Sequence, residues 1–145
     1  MAKIILDSPA SYAFTTEIPL RITDVNYGGH VGNDSILSIL HEARARFLSK
    51  GGFTELNAAG VGLIMSDCTI EFRSELFYGE RLLASVAAKT FSRVGFSLFY
   101  QLEKEGPAGE RRLVVLARTG MVCFRYEEKK ICTLPEQLRI RLETL

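Results

Sequence analysis

Apolar and polar positions change period several times along this chain, and each change predicts an element. Residues 12–23 are rich in Phe, Thr and Ile, which suits a strand. Pro19 falls inside that run and removes a ladder donor, so the strand lies at a sheet edge or breaks there. Residues 24–32 are polar and glycine-rich and predict a loop. Apolar side chains then return at Ile36, Leu40, Ala43 and Phe47, at spacings of four, three and four. That stripe predicts a helix over residues 34–49, with Leu37 and Ile39 beside it. Ser38, His41, Glu42, Ala45 and Arg46 fall mostly on the other side. Asn33 is a suitable N-cap and Asp34 suits the first turn. Gly51-Gly52 predicts a left-handed stop. Residues 53–60 form a short connection, open to helical turns.

The second half alternates β-rich runs with turn residues. Strands are predicted over residues 63–75, 81–92, 96–103 and 111–126. Turns fall at 78–80, 93–95, 104–110 and 127–130. Residues 134–142 predict a terminal helix starting near Pro135. Strands joined by short turns pair antiparallel. The fold class is therefore α+β: one long helix packed on an antiparallel sheet of about five strands. One helix covers one face of such a sheet. The other face, or an edge, must meet something else, and a second copy of the chain is the simplest candidate. Without a repeat, a low-complexity run or a linker, residues 1–145 read as a single domain.

Composition narrows the function. The chain has 145 residues, 47% hydrophobic and 24% charged, with a formal net charge of +1. Binding to nucleic acid or an anionic membrane usually calls for a basic surplus. No apolar run approaches the ~18 residues of a membrane span. The apolar run near the N-terminus is shorter than the ~7–15 residues of a secretory signal, so a cytoplasmic location is expected. Cys68, Cys123 and Cys132 have no metal-ligand spacing. Cys68 and Cys123 lie in strand-like runs and read as small buried hydrophobes, with Cys132 nearer a loop. With no CxxC, HExxH or histidine cluster, no protein-bound metal is expected.

The chemistry concentrates where the polar loop meets the helix. Asp24, Asn26 and His30 precede Asn33, so acid, amide and imidazole stand beside the free N–H groups of a helix start. Each has a structural alternative. Asp24 and Asn26 are favoured turn residues. His30 can tie the loop to a carbonyl, and Asn33 can cap the helix with its side chain. Glu42 can pair with Arg46 one turn on. Gly28-Gly29 can act as a hinge that lets backbone approach a ligand.

The run Asp24-Val25-Asn26-Tyr27-Gly28-Gly29-His30-Val31-Gly32-Asn33 resembles the signature of hotdog-fold acyl-CoA thioesterases of the 4-hydroxybenzoyl-CoA thioesterase type. His41-Glu42-Ala43-Arg44 is similar to that family's Glu-x-Ala-Arg stretch, and the strand–helix–four-strand order is similar to the hotdog fold. The resemblance implies hydrolysis of an acyl-CoA thioester between two subunits of a homodimer or homotetramer, with no metal and no redox cofactor. It places the oxyanion donor on the Asn33 amide, with His30 and Gly32 nearby. Such a donor can be worth ~3 kcal/mol in the transition state.

The chain departs from the signature where its second acid stands, because Asn26 cannot act as a base or a carboxylate nucleophile. Three readings follow: Asp24 supplies the base through a water that Asn26 orients; Glu42 supplies it from the helix; or the protein binds acyl thioesters without efficient turnover. Gly32 and Ile36 also differ from the family's usual Asn and aromatic residue. A dehydratase or hydratase pairing His30 with Glu42 is the alternative enzyme class. Coenzyme A carries phosphates, which makes Arg73, Lys89, Arg93 and Arg118 candidate partners. The Arg93-Val94-Gly95-Phe96-Ser97 turn resembles a family stretch, so Arg93 and Ser97 are the expected coenzyme A contacts. Ile64, Phe72 and Phe96 are candidate walls for the acyl tunnel.

Overall fold

Residues 6–145 are described by the computed structural model. Strand β1 spans Phe14–Ile18 and is followed by a single 3-10 turn, Ile22–Asp24. Helix α1 is Asn33–Lys50. Strands β2 (Gly62–Phe72), β3 (Arg81–Lys89), β4 (Gly95–Glu105) and β5 (Arg111–Arg125) follow. A two-residue β6 (Lys130–Ile131) and helix α2 (Glu136–Glu143) complete the order. All pairings are antiparallel, in the order β1-β3-β4-β5-β2, with β6 on β5. β2 and β3 are neighbours in sequence but do not pair. The chain crosses from β2 at one edge to β3 beside the other.

The two-residue alternation of the strands makes the core. Leu82, Ala84 and Val86 on β3, and Leu98, Tyr100 and Leu102 on β4, lie on the face that meets α1. The helix contributes the predicted stripe of Ile36, Leu40, Ala43 and Phe47, and also Ile39, Arg44 and Leu48. Leu40 is wholly buried; truncation to Ala would cost about 2–5 kcal/mol. α1 ends in a Schellman motif: Gly52 N–H donates to the Ser49 carbonyl and Phe53 N–H to that of Leu48. Gly52 takes φ +86, whereas Gly51 remains right-handed.

Several expectations are corrected. The first strand is shorter than residues 12–23, ending before Pro19, and the segment to Asp24 includes the 3-10 turn. Residues 53–60 hold no helix; Glu55 within them pairs with Arg44 and His41. The N-cap is Gly32, not Asn33, and no side chain caps the helix. The face away from α1 is buried over β3 and β4 and stays half-exposed over β5 and β2, where Leu116, Arg118 and Thr69 lie. Leu6 N–H donates to Glu71 Oε2 (2.7 Å), joining the segment before β1 to the sheet's opposite edge. On that face Ser85, Ala87, Ser97 and Phe99 are buried. β2 still has one side unpaired among the described residues, and its Met65 and Phe72 are exposed.

Candidate active site at the start of helix α1

Residues 25–31 fold as a tight hairpin. Val25 bridges to Val31, Asn26 N–H donates to the His30 carbonyl (2.9 Å), and Gly29 N–H donates to that of Asn26 (3.1 Å). Gly29 takes φ +87, a conformation that only glycine adopts without strain. The Asn26 side chain accepts Gly28 N–H at 2.9 Å, an Asx turn. The hairpin is tied to the β2–β3 connection by Val31 N–H donating to the Leu76 carbonyl (2.8 Å) and by a bridge between His30 and Phe77.

This brings Asn26 and His30 together. A Cβ on Gly28 would stand 3.2 Å from Asn26 Oδ1 and 3.5 Å from His30 Nε2. His30 Nδ1 faces the Val31 carbonyl at 3.3 Å. A carbonyl only accepts, so Nδ1 holds the proton in that bond. Phe77 packs edge-on against the ring.

The helix start lies open. Gly32 is extended (φ −74, ψ 156) and has no side chain with which to cap. The N–H groups of Asn33, Asp34 and Ser35 therefore have no intrahelical acceptor and no side-chain cap. They sit at the positive end of an 18-residue helix. A cleft of about 250 Å³ reaches this end. His30, Asn33, Arg73, Ser74 and Glu75 supply its polar lining, and Ile36, Phe72, Leu76, Val114 and Val115 its apolar walls.

The other expected residues lie elsewhere in the protomer. Asp24 is 5% exposed. Its carboxylate accepts Arg21 N–H at 2.8 Å and faces the Arg21 guanidinium at 3.5 Å, closing the 3-10 turn. Glu42 pairs with Arg46 at 2.7 Å. Both acids line a separate cleft of about 190 Å³ between α1 and the end of β1. Ser97 is buried and accepts from Arg118 Nε (3.0 Å), while Arg118 reaches Asp67 (2.6 Å) on the sheet face away from α1. Ser97 pairs with Gly120, five residues along β5 from Val115, or roughly 17 Å at strand rise. Arg93 is exposed beyond that end. Within one protomer neither reaches the cleft at His30. Phe72 lines the cleft, Phe96 belongs to the core, and Ile64 is half-buried on the far face.

One polar residue of the cleft escapes a reading of sequence alone, as does the burial of Arg44. Glu75 enters the cleft from an irregular segment with no motif of its own. Arg44 is buried under the sheet; its spacing of four from both Leu40 and Leu48 is the signal that could have placed it there.

The uncapped helix start thus combines free backbone donors with an apolar-walled cleft, on a helix laid against one antiparallel sheet. A family model for the thioesterase-like superfamily matches residues 20–142, and the chain belongs to that superfamily. Its fold is the expected hotdog fold. A 1,4-dihydroxy-2-naphthoyl-CoA hydrolase from Synechocystis sp. is 28% identical over 126 residues, covering 85% of this chain and 89% of that protein. The crystal structure of a 1,4-dihydroxy-2-naphthoyl-CoA thioesterase from Synechocystis superposes with TM-score 0.78 at 25% identity, covering 89% and 94% of the two chains. The 4-hydroxybenzoyl-CoA thioesterase of Pseudomonas sp. strain CBS-3 superposes with TM-score 0.80 at 18% identity, covering 90% and 99%.

Proposed function

We propose that this protein hydrolyses an acyl-CoA thioester to the free acid and coenzyme A, with the reacting carbonyl at the start of α1. The observation that carries the reading is the uncapped helix end opening on an apolar-walled cleft. Free N–H groups there suit an oxygen that gains negative charge as water attacks the carbonyl. His30, held by the Val31 carbonyl and Phe77, stands beside that point. Ile36, Phe72, Leu76, Val114 and Val115 suit the acyl group. The named relatives act on aromatic acyl-CoAs, which recommends an aromatic acid as the first substrate to try.

The active form in this reading is a homodimer, alone or within a tetramer. About 250 Å³ falls below the ~300–1,000 Å³ of typical ligand sites, as expected for a site walled by two copies. Phe72 and Arg73, at the end of the half-paired edge strand β2, line the cleft. An edge of 11 residues is a strong template for pairing. Arg93 and Ser97 are then candidates to contact coenzyme A from the second copy. The reaction consumes only water and the thioester. Three free cysteines and an acyl-CoA substrate fit the cytoplasm, and no helix among the described residues is long and apolar enough to cross a membrane.

The test is thiol release from aromatic, short-chain and long-chain acyl-CoAs, followed with a thiol reagent. Turnover of at least one class is expected. Saturable binding of acyl-CoAs with no thiol release from any class would overturn hydrolysis in favour of a binding protein.

A further inference from the structure

Water must lose a proton to attack a thioester, and Asn26 cannot take it. We infer that Glu75 is the general base, an assignment that rests on the hydrolase reading above. Among the described residues, Glu75 is the only carboxylate that lines the cleft at the start of α1. Asp24 is committed to Arg21 and faces the other cleft, as does Glu42, which is held by Arg46. Glu71 accepts from Leu6 N–H and pairs with Arg73. Glu80 accepts Phe77 N–H and pairs with Lys104. Among the described residues, the Glu75 carboxylate has neither a hydrogen bond nor an ion pair.

Its backbone carbonyl and both neighbouring residues, in contrast, are held. The Glu75 carbonyl accepts from Lys104 Nζ at 2.8 Å. Ser74 Oγ donates to the Leu113 carbonyl at 2.6 Å, and the Leu76 carbonyl accepts Val31 N–H at 2.8 Å. The last bond joins the Glu75 segment directly to the hairpin bearing Asn26 and His30. A held backbone therefore carries an uncommitted acid into the same cleft as the free amide donors, the placement this assignment rests on.

The step balances without a further reactant. Glu75 takes a proton from water as the water oxygen bonds to the thioester carbon. The carbonyl π pair moves to oxygen, facing the free N–H groups of Asn33 and its neighbours. Collapse of that intermediate breaks the carbon–sulfur bond. Sulfur leaves with the electron pair and receives the proton from Glu75, giving the acid, the coenzyme A thiol and a regenerated carboxylate.

The experiment compares Glu75→Gln and Glu75→Asp with the parent on an acyl-CoA that the parent hydrolyses. Glu75→Gln is expected to lower kcat by about 10²-fold or more, the usual contribution of a positioned base. KM should stay within about threefold, and the acid limb of the kcat/KM pH profile should disappear. Glu75→Asp should keep part of the rate and retain that limb. Because the Glu75 side chain makes no contact that folding needs, both variants should unfold at the parent's temperature. A Glu75→Gln enzyme within threefold of the parent, with its acid limb intact, overturns Glu75 while leaving the hydrolase reading standing. A parent that releases no thiol overturns both.

Discussion

Arg44 and Tyr100, 56 residues apart in sequence, meet between helix and sheet, where Nη1 of the guanidinium donates to the tyrosine hydroxyl at 3.3 Å. Burial raises the Tyr100 pKa and keeps the phenol neutral. Accepting from Arg44, the phenol passes its own proton toward Thr119 Oγ1 (2.7 Å), which in turn donates to Met121 Sδ (3.5 Å). Arg44 also pairs with Glu55, so one chain of polar groups links α1, the loop after it, β4 and β5. Tyr100→Phe removes the middle of that chain and leaves a buried guanidinium donor unmatched. A loss of about 1–3 kcal/mol is expected from urea unfolding. A change below about 0.5 kcal/mol would show that the chain adds nothing to stability.

Asp24 is assigned a structural task by its contacts with Arg21. Asp24→Ala removes the acceptor for Arg21 N–H at a buried position, and about 1–2 kcal/mol should be lost. Asp24→Asn keeps an acceptor oxygen and should lose less. Thermal unfolding of the two variants checks the order; equal losses would mean that the hydrogen bond is unimportant.

Cys123 is buried, and burial is the main reason its pKa rises from the ordinary 9.0 to about 11. A thiol reagent at pH 8 should therefore leave Cys123 unmodified until the protein unfolds. The linkage sign follows from the raised value. Below pH 9 the contribution is fully present, because folded and unfolded chains both hold the proton. From pH 9 to 11 the unfolded chain ionises first, so stability falls, by at most about 3 kcal/mol. Cys123→Ala should flatten that part of a pH–stability curve. Rapid native-state labelling of Cys123 would contradict the burial.

Gly95 begins β4 opposite Val122, where a Cβ would collide with the Met121 carbonyl oxygen. The obstacle is backbone in a paired strand, so it cannot swing aside as a side chain does. Gly95→Ala should cost about 1–3 kcal/mol, the range for overpacking. The measurement is the midpoint of denaturant unfolding, with an unshifted midpoint as the contrary result.

Much of this organisation was legible in the order of residues. The Ile36–Phe47 stripe fixed the buried face of α1 because helical spacing alone stacks those side chains. The turn residues before β3, β4 and β5 separated the strands, and the hairpin of Asn26 and His30 was visible as a polar interruption before an apolar helix. Pro19 correctly warned that the first strand would end early. Asn33 misled because a good capping residue one position late looks the same in sequence, and only backbone angles show Gly32 in the extended cap conformation.

The cleft was decided by tertiary structure. Sequence placed Asp24, Asn26, His30, Asn33 and Glu42 near one another along the chain. Folding sends Asp24 and Glu42 to one side and His30 and Asn33 to the other, because a hairpin and a helix turn successive side chains in different directions. Glu75 arrives in their place because β2 pairs with β5 rather than with β3, so the crossing segment must pass the hairpin and bonds to it at Val31. Hydrophobic period is a local property that the chain carries within a few residues. Which polar groups share a cavity depends on strand order and register, and these are settled only when distant segments compete for the same core.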